Sequence, residues 1–286
     1  MKLLSYRTPE GARLGVLRNA DEVLELAGPA DMLSLIDAGD DGLATVHGAL
    51  RNGKGKVHEL RDLHLAAPLP NPRGNVIAIG RNYRAHAEES ARAEGRAVDP
   101  PTVFTKAVTS VTGPYAEVVI DPAVTSQVDW EVELGVVIGR TGVNVQREGA
   151  LKHVFGYIVV NDVSARDIQF GWGGQYFKGK SLDGFCPTGP YIVTADELDP
   201  RSLRLSLRVN GETKQDSNTR DMIYPVDAIV EWVSKGLTLQ AGTIIATGTP
   251  DGVGFARTPP EFLKPGDVVE AEVEGIGTLR NRFIAR

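Results

Sequence analysis

Glu131 and Glu133 stand one residue apart, and Asp162 follows about thirty residues later. Residues 128–138 read VDWEVELGVVI, an alternating, β-branched run that predicts a strand. Side chains at i and i+2 of a strand share one face. The two glutamates therefore point the same way, while Trp130, Val132, Leu134 and Val136 point into a core. Adjacent carboxylates repel each other, and a divalent cation removes that penalty. An all-carboxylate set suits Mg²⁺ or Mn²⁺ better than zinc. Asp162 comes just after a second apolar run, VFGYIVV at 154–160, at the end of a predicted strand, where ligands are commonly presented. The plain alternative is a solvated glutamate pair on an exposed sheet face, with an ordinary helix-capping aspartate.

The elements that must position these residues are mostly short strands. From residue 75 onward, strands are predicted at 76–79, 118–120, 157–160, 191–193, 203–209, 243–247 and 268–273, separated by Gly/Pro turns. Asn210-Gly211 after the alternating 203–209 run is a hairpin signal. Helices are few, at about 82–94 and 225–237. The fold class is α+β and β-dominated, with no regular βαβ array. Residues 1–70 read as a small N-terminal α/β module, and 71–286 as the main domain. In the module, 3–6 and 13–17 form a hairpin, and two helices at 31–37 and 43–47 are split by the Gly39-Asp40-Asp41-Gly42 stretch. The Pro-rich stretch 65–73 marks the boundary.

Bulk properties exclude several classes. The net charge is −6 with no basic stripe, so nucleic acid is not an expected partner. No apolar run is long enough to span a membrane, and the N-terminus turns polar at once, without the apolar core of a signal peptide. Cys186 is the single cysteine, which fits a reducing cytoplasm. Residues 174–181, GQYFKGKS, match the phosphate-loop pattern, but two glycines and two prolines follow within 182–190, where that mechanism needs a helix. Nucleotide binding is therefore not expected. Lys180 is left as a lysine in a Gly-rich loop, either solvated or aimed at an anion.

Five motifs occur in one order: GRNYRAH at 80–86, WEVELGVVIG at 130–139, NDVSARDIQ at 161–169, KGKS at 178–181 and TGTPDGVG at 247–254. As a set the chain resembles the fumarylacetoacetate hydrolase family, in its bacterial acylpyruvase and 2-hydroxyhepta-2,4-diene-1,7-dioate isomerase-like branch, over about residues 72–284. The resemblance implies a mixed β-sheet rolled around a metal site, in a homodimer. It implies Mg²⁺ or Mn²⁺ on Glu131, Glu133 and Asp162. His86 and Glu89, three apart on one helical face, match a pair on a lid segment that activates a water. Lys180 matches a lysine beside the metal, Gln169 and Thr249 match residues that orient substrate oxygens, and Arg81 is a second anion contact. One departure is Ala107, where relatives often have Pro after the position of Lys106.

The expected substrate is a small 2-oxo or 2,4-dioxo acid. In the hydrolytic version, His86 with Glu89 deprotonates a water that attacks the distal carbonyl, and a stabilised enolate leaves. A C–C hydrolase acting on an acylpyruvate or diketo-deoxy sugar acid is the main expectation. An isomerase or an oxaloacetate-type decarboxylase on the same site is the alternative. The FGWGGQ run at 170–175 is similar to relatives acting on sugar acids or aromatic ring-cleavage products. A non-enzymatic anion-binding module is disfavoured by the full set of candidate residues.

Overall fold

The computed structural model describes residues 1–53, 55–95, 101–171 and 173–286. Its frame is a large mixed sheet. In spatial order the main path runs through Val57–Glu59, Glu22–Glu25, Gly11–Leu17, Lys2–Thr8, Cys186–Thr194, Val154–Asn161, Val132–Ile138, Ile244–Ala246, Val76–Gly80 and Thr102–Lys106. A second sheet of five strands orders Glu212–Asn218, Arg204–Val209, Val268–Val273, Gly277–Ala285 and Val118–Ile120. The β-dominated α+β expectation therefore holds.

The Val132–Ile138 strand is buried along its whole length, so both faces are covered. Its Val132, Leu134, Val136 and Ile138 meet Leu205, Leu207, Val269 and Phe283 of the five-stranded sheet in one core. Val137, on the opposite face, belongs to a second core with Leu3, Val16, Leu35, Ile158 and Ile192. The glutamates share the face of Val137, as the period-2 pattern requires.

Residues 1–70 and the rest of the chain share structure. The first strand pairs antiparallel with Cys186–Thr194, Leu3 opposite Ile192, and the second core takes side chains from both sides of the boundary. The predicted hairpin forms, with Thr8 opposite Gly11. The helix break falls elsewhere than expected. One helix spans Met32–Asp37 and the next runs Gly39–Asn52, so the Gly-Asp-Asp-Gly stretch opens the second helix and does not divide the two. The reason is steric: Gly42 sits where a Cβ would lie 2.8 Å from Leu35 O, and its bareness lets the two helices cross closely. Asn210-Gly211 forms the tight hairpin turn with both residues at positive φ, 53° and 83°. The predicted later helices form as Arg84–Glu94 and Val226–Val233.

Residues 174–181 do not make a phosphate loop. A single helical turn, Phe177–Lys180, precedes Ser181, and the chain then enters the strand Cys186–Thr194 without a following helix. In the Gly-rich approach, Trp172 lies outside the described residues. No helix among the described residues is long and apolar enough to cross a membrane.

Candidate functional site

The strands Val132–Ile138 and Val154–Asn161 are antiparallel neighbours, with Val132 opposite Asn161. The residue before the first strand and the residue after the second therefore meet at one end of the sheet. The ladder continues past the strand ends, Asp162 N donating to Glu131 O at 2.9 Å. This register brings Glu131, Glu133 and Asp162 together, with one carboxylate oxygen of each within 4.8 Å of the others. All three are buried, Asp162 completely. An exposed, solvated pair is thereby excluded.

Three cations surround this cluster. Lys180 Nζ donates to Glu131 Oε2 at 2.7 Å and to Asp162 Oδ2 at 2.9 Å. Lys106 Nζ donates to the other oxygen of Asp162 and to Val163 O. Arg166 donates from Nη2 to Glu131 Oε1 at 2.7 Å, from Nε to Asp129 Oδ2 at 2.8 Å and from Nη1 to Gln169 Oε1 at 2.9 Å. Burial alone would raise the Glu131 pKa, but the charges of Lys180 and Arg166 hold it well below the usual carboxylate range. Burial alone would lower the Lys180 pKa, and Asp162 and Glu131 more than offset that. Lys180 is thus a charged ammonium in the site.

Glu133 is in the opposite situation. Burial and the neighbouring Asp162 and Glu131 charges push its carboxyl well above its ordinary value. Its hydrogen bond is to a backbone group, Gly248 N at 2.7 Å. A buried carboxyl facing two carboxylates is relieved by a proton or by a cation, and the all-oxygen donor set fits a hard divalent ion. The residues present therefore fit the metal that the sequence predicts.

The helix Arg84–Glu94 covers the site. His86, Ser90 and Glu94 fall at i, i+4 and i+8, one stripe of that helix, and all three border the cavity. His86 Nδ1 lies 2.9 Å from Glu89 Oε1. A carboxylate can only accept, so the proton sits on Nδ1 and Nε2 is left for chemistry. Glu89 also accepts from Gly252 N at 3.0 Å, which ties the helix to the 247–254 turn. That turn supplies Thr249, whose hydroxyl donates to Val132 O and accepts from Gln215 Nε2. The hydroxyl expected to orient substrate oxygens thus anchors the turn to the strand that carries Glu133, while the residue borders the cavity.

Arg81 and Gln169 also border the cavity, with Phe104, Phe170, Tyr176 and Phe255 as its apolar wall. The space left among them is narrow, about 30 Å³. Arg81 has φ 60°, a conformation that bulky side chains avoid. Its neighbours impose it. Gly80 is held opposite Thr102 in the sheet, and the Asn82 side chain bonds Tyr224 O, Thr247 O and Tyr224 N.

Sequence reasoning assigned no role to Asp129 or Arg166 and left Lys106 open. Asp129 continues the i, i+2 spacing of Glu131 and Glu133, and Arg166 lies three residues before Gln169 on one helical face, so both were findable. Lys106 is fully buried despite the Ala107 departure. The Ala107 N–H, which a proline would lack, donates to Ser181 Oγ at 3.0 Å and ties the Lys106 segment to the residue after Lys180.

With this geometry in place, the likeness to known proteins is specific. A family model described as "Fumarylacetoacetate (FAA) hydrolase C-terminal" matches residues 75–284. The chain is 47% identical over 228 residues to the oxaloacetate tautomerase YisK of Bacillus subtilis, covering 79% of this chain and 75% of that protein. It is 38% identical to the human mitochondrial oxaloacetate tautomerase FAHD2A, covering 99% of this chain and 92% of that one. Among solved structures it superposes on a fumarylacetoacetate hydrolase from Exiguobacterium antarcticum with TM-score 0.87 and 40% identity, both chains covered in full. A 5-carboxymethyl-2-hydroxymuconate delta-isomerase from Mycobacterium smegmatis gives TM-score 0.80 at 33% identity, again with full coverage of both chains. The shared sheet, the buried acidic cluster and this breadth of likeness lead to one conclusion: the chain belongs to the fumarylacetoacetate hydrolase family.

Proposed function

We propose that the protein is a divalent-metal-dependent tautomerase that interconverts the keto and enol forms of a short 2-oxo acid of the oxaloacetate type. The observation that carries this reading is the Glu131, Glu133 and Asp162 cluster with the Lys180 ammonium within hydrogen-bond distance of two of its members. Mg²⁺ or Mn²⁺ held there would supply a Lewis acid for the 2-oxo oxygen and the adjacent carboxylate.

The chain's own residues supply the rest. Lys180 donates a hydrogen bond toward the oxygen on which enolate charge develops. His86, its Nδ1 proton fixed on Glu89, offers Nε2 to move the proton at the neighbouring carbon. Arg166 holds Gln169 and Glu131 in place, and Gln169 and Arg81 orient substrate oxygens. Tautomerisation consumes no second reactant, so the His86, Lys180 and Gln169 side chains that border the cavity suffice for it without a positioned water. The hydrolytic expectation is thus set behind its alternative. The names of the relatives support the same order, since YisK and FAHD2A are both oxaloacetate tautomerases.

The hydrolase reading keeps one point in its favour, the name of the Exiguobacterium antarcticum structure. A panel separates the two. Acylpyruvate, a diketo-deoxy sugar acid and oxaloacetate are offered with Mg²⁺ or with chelator, and pyruvate release and loss of enol absorbance are followed together. The proposal expects metal-dependent enol loss from oxaloacetate without pyruvate. Metal-dependent pyruvate release from either of the first two acids would return the reading to C–C hydrolysis.

A further inference from the structure

The cavity has an order along its length. Lys106, at one end of the Thr102–Lys106 strand, contacts Asp162. Phe104, two residues back, has the Lys180 ammonium 5.2 Å from its ring centre. The same ring also meets that of Tyr176, centre to centre at 5.5 Å. Thr102, at the far end, pairs with Gly80, the residue before Arg81. Four residues of strand span about 13 Å. Arg81 follows Gly80 at the Thr102 end of this pairing, and the Phe104 ring lies between its partner Tyr176 and Lys180.

Arg81 Nη2 donates to Tyr176 Oη at 2.9 Å and to Glu94 Oε1 at 3.3 Å. Both charged side chains are largely buried, 8% and 19% exposed, and both border the cavity. Glu94 is a carboxylate on the wall of a pocket whose proposed ligand is itself an anion. It hangs from the last turn of the covering helix, beyond His86 and Ser90 on the same stripe. Arg81 is held in a backbone conformation that costs on the order of 1–3 kcal/mol for a non-glycine residue. A glycine would sit there without strain, so what the position gains from arginine is the guanidinium.

We propose that Arg81 reads the second carboxylate of a four-carbon dicarboxylate and that Glu94 is its built-in stand-in. The Glu94 carboxylate holds the guanidinium in the cavity and gives way when the substrate's far carboxylate arrives. The pair thereby selects diacids over monoacids. This deepens the tautomerase reading and rests on it, because the near end of the ligand must lie at the Glu131, Glu133 and Asp162 cluster.

The test uses two unreactive 2-hydroxy acids that share a chelating end, malate with a far carboxylate and lactate without one. Affinities are measured by calorimetry on the full chain with Mg²⁺, and the malate-over-lactate ratio is the readout. Arg81→Gly, which suits the backbone at that position, is expected to lower the ratio at least about tenfold. Arg81→Lys is expected to restore part of it. Glu94→Gln removes the competing charge and is expected to raise the ratio severalfold. If Glu94 were only a structural support for Arg81, Glu94→Gln would lower the ratio, and that result would overturn the stand-in role. An unchanged ratio in both Arg81→Gly and Glu94→Gln, with both acids still binding, would overturn the inference alone. Failure of either acid to bind the wild-type protein with Mg²⁺ would overturn the reading of the site and the inference with it.

Discussion

Glu133 carries the sharpest conflict in the site: a buried carboxyl beside two other carboxylates. Replacing it by Gln removes the repulsion but also one of the three carboxylates proposed to hold the metal. The metal-free Glu133→Gln protein is expected to melt higher than wild type by about 2–4 °C per kcal/mol of relieved repulsion, while Mg²⁺ no longer raises its melting temperature. A metal-free melting temperature below wild type would contradict this. The pH dependence follows from the direction of the same shift. The folded state favours protonated Glu133, so its contribution is fully present below the ordinary value of 4.5 and is lost as pH rises through the raised folded value. Thermal melts above pH 4.5 should show the metal-free protein losing stability with rising pH, and Mg²⁺ should flatten that slope. Glu131 acts in the other direction. Its depressed pKa stabilises above 4.5 and is lost only as pH falls further, so the two effects occupy separate windows. Lys180→Gln should lower turnover by about two orders of magnitude without weakening Mg²⁺ binding, since it removes a cation that competes for Glu131 and Asp162. Weaker metal binding with intact turnover would refute that role. The acids were legible because period-2 spacing is a local property. Lys106 was not, because its burial depends on Asp162, 56 residues away in sequence.

At the scale of elements, the covering helix and the 247–254 turn act as one unit. Glu89 links them through Gly252 N, and Gly248 N completes the bonding of Glu133. Gly248 has φ 99°, and a Cβ there would lie 2.8 Å from Ile79 O and from Asn82 Cβ. Gly248→Ala should therefore cost about 1–3 kcal/mol in denaturant unfolding and weaken the Mg²⁺-induced stabilisation. A neutral effect on both would show that the turn does not shape the site. The sequence pattern exposed the helix through its His86 and Glu89 spacing and the turn through its glycines and proline. It did not disclose that the Thr249 hydroxyl is spent on Val132 O, because that bond joins segments 117 residues apart. The second helix of the N-terminal region was misplaced for a related reason. Glycine normally marks a break, but Gly42 serves close packing against Leu35.

The whole molecule is tied together by one sheet and by cores that cross the residue-70 boundary. Leu3, Val16, Leu24, Leu35 and Ile36 share a buried cluster with Val137, Ile158, Val160 and Ile244. A fragment of residues 71–286 would expose that apolar face and the edge of the Cys186–Thr194 strand. It should fail to unfold cooperatively by calorimetry, and a cooperative transition near that of the full chain would contradict the shared-core account. Composition alone marks a boundary at the proline-rich stretch, since local polarity cannot report which strand the first one will pair with. The central claim is that this frame holds a metal-dependent site for moving a proton next to a 2-oxo group. Its most direct test is the rate at which enol oxaloacetate disappears in the presence of the full chain, with Mg²⁺ and with chelator, pyruvate being counted in the same sample. The account predicts rapid enol loss with Mg²⁺, none above background with chelator, and no pyruvate. Enol loss at the background rate with Mg²⁺ present would contradict it.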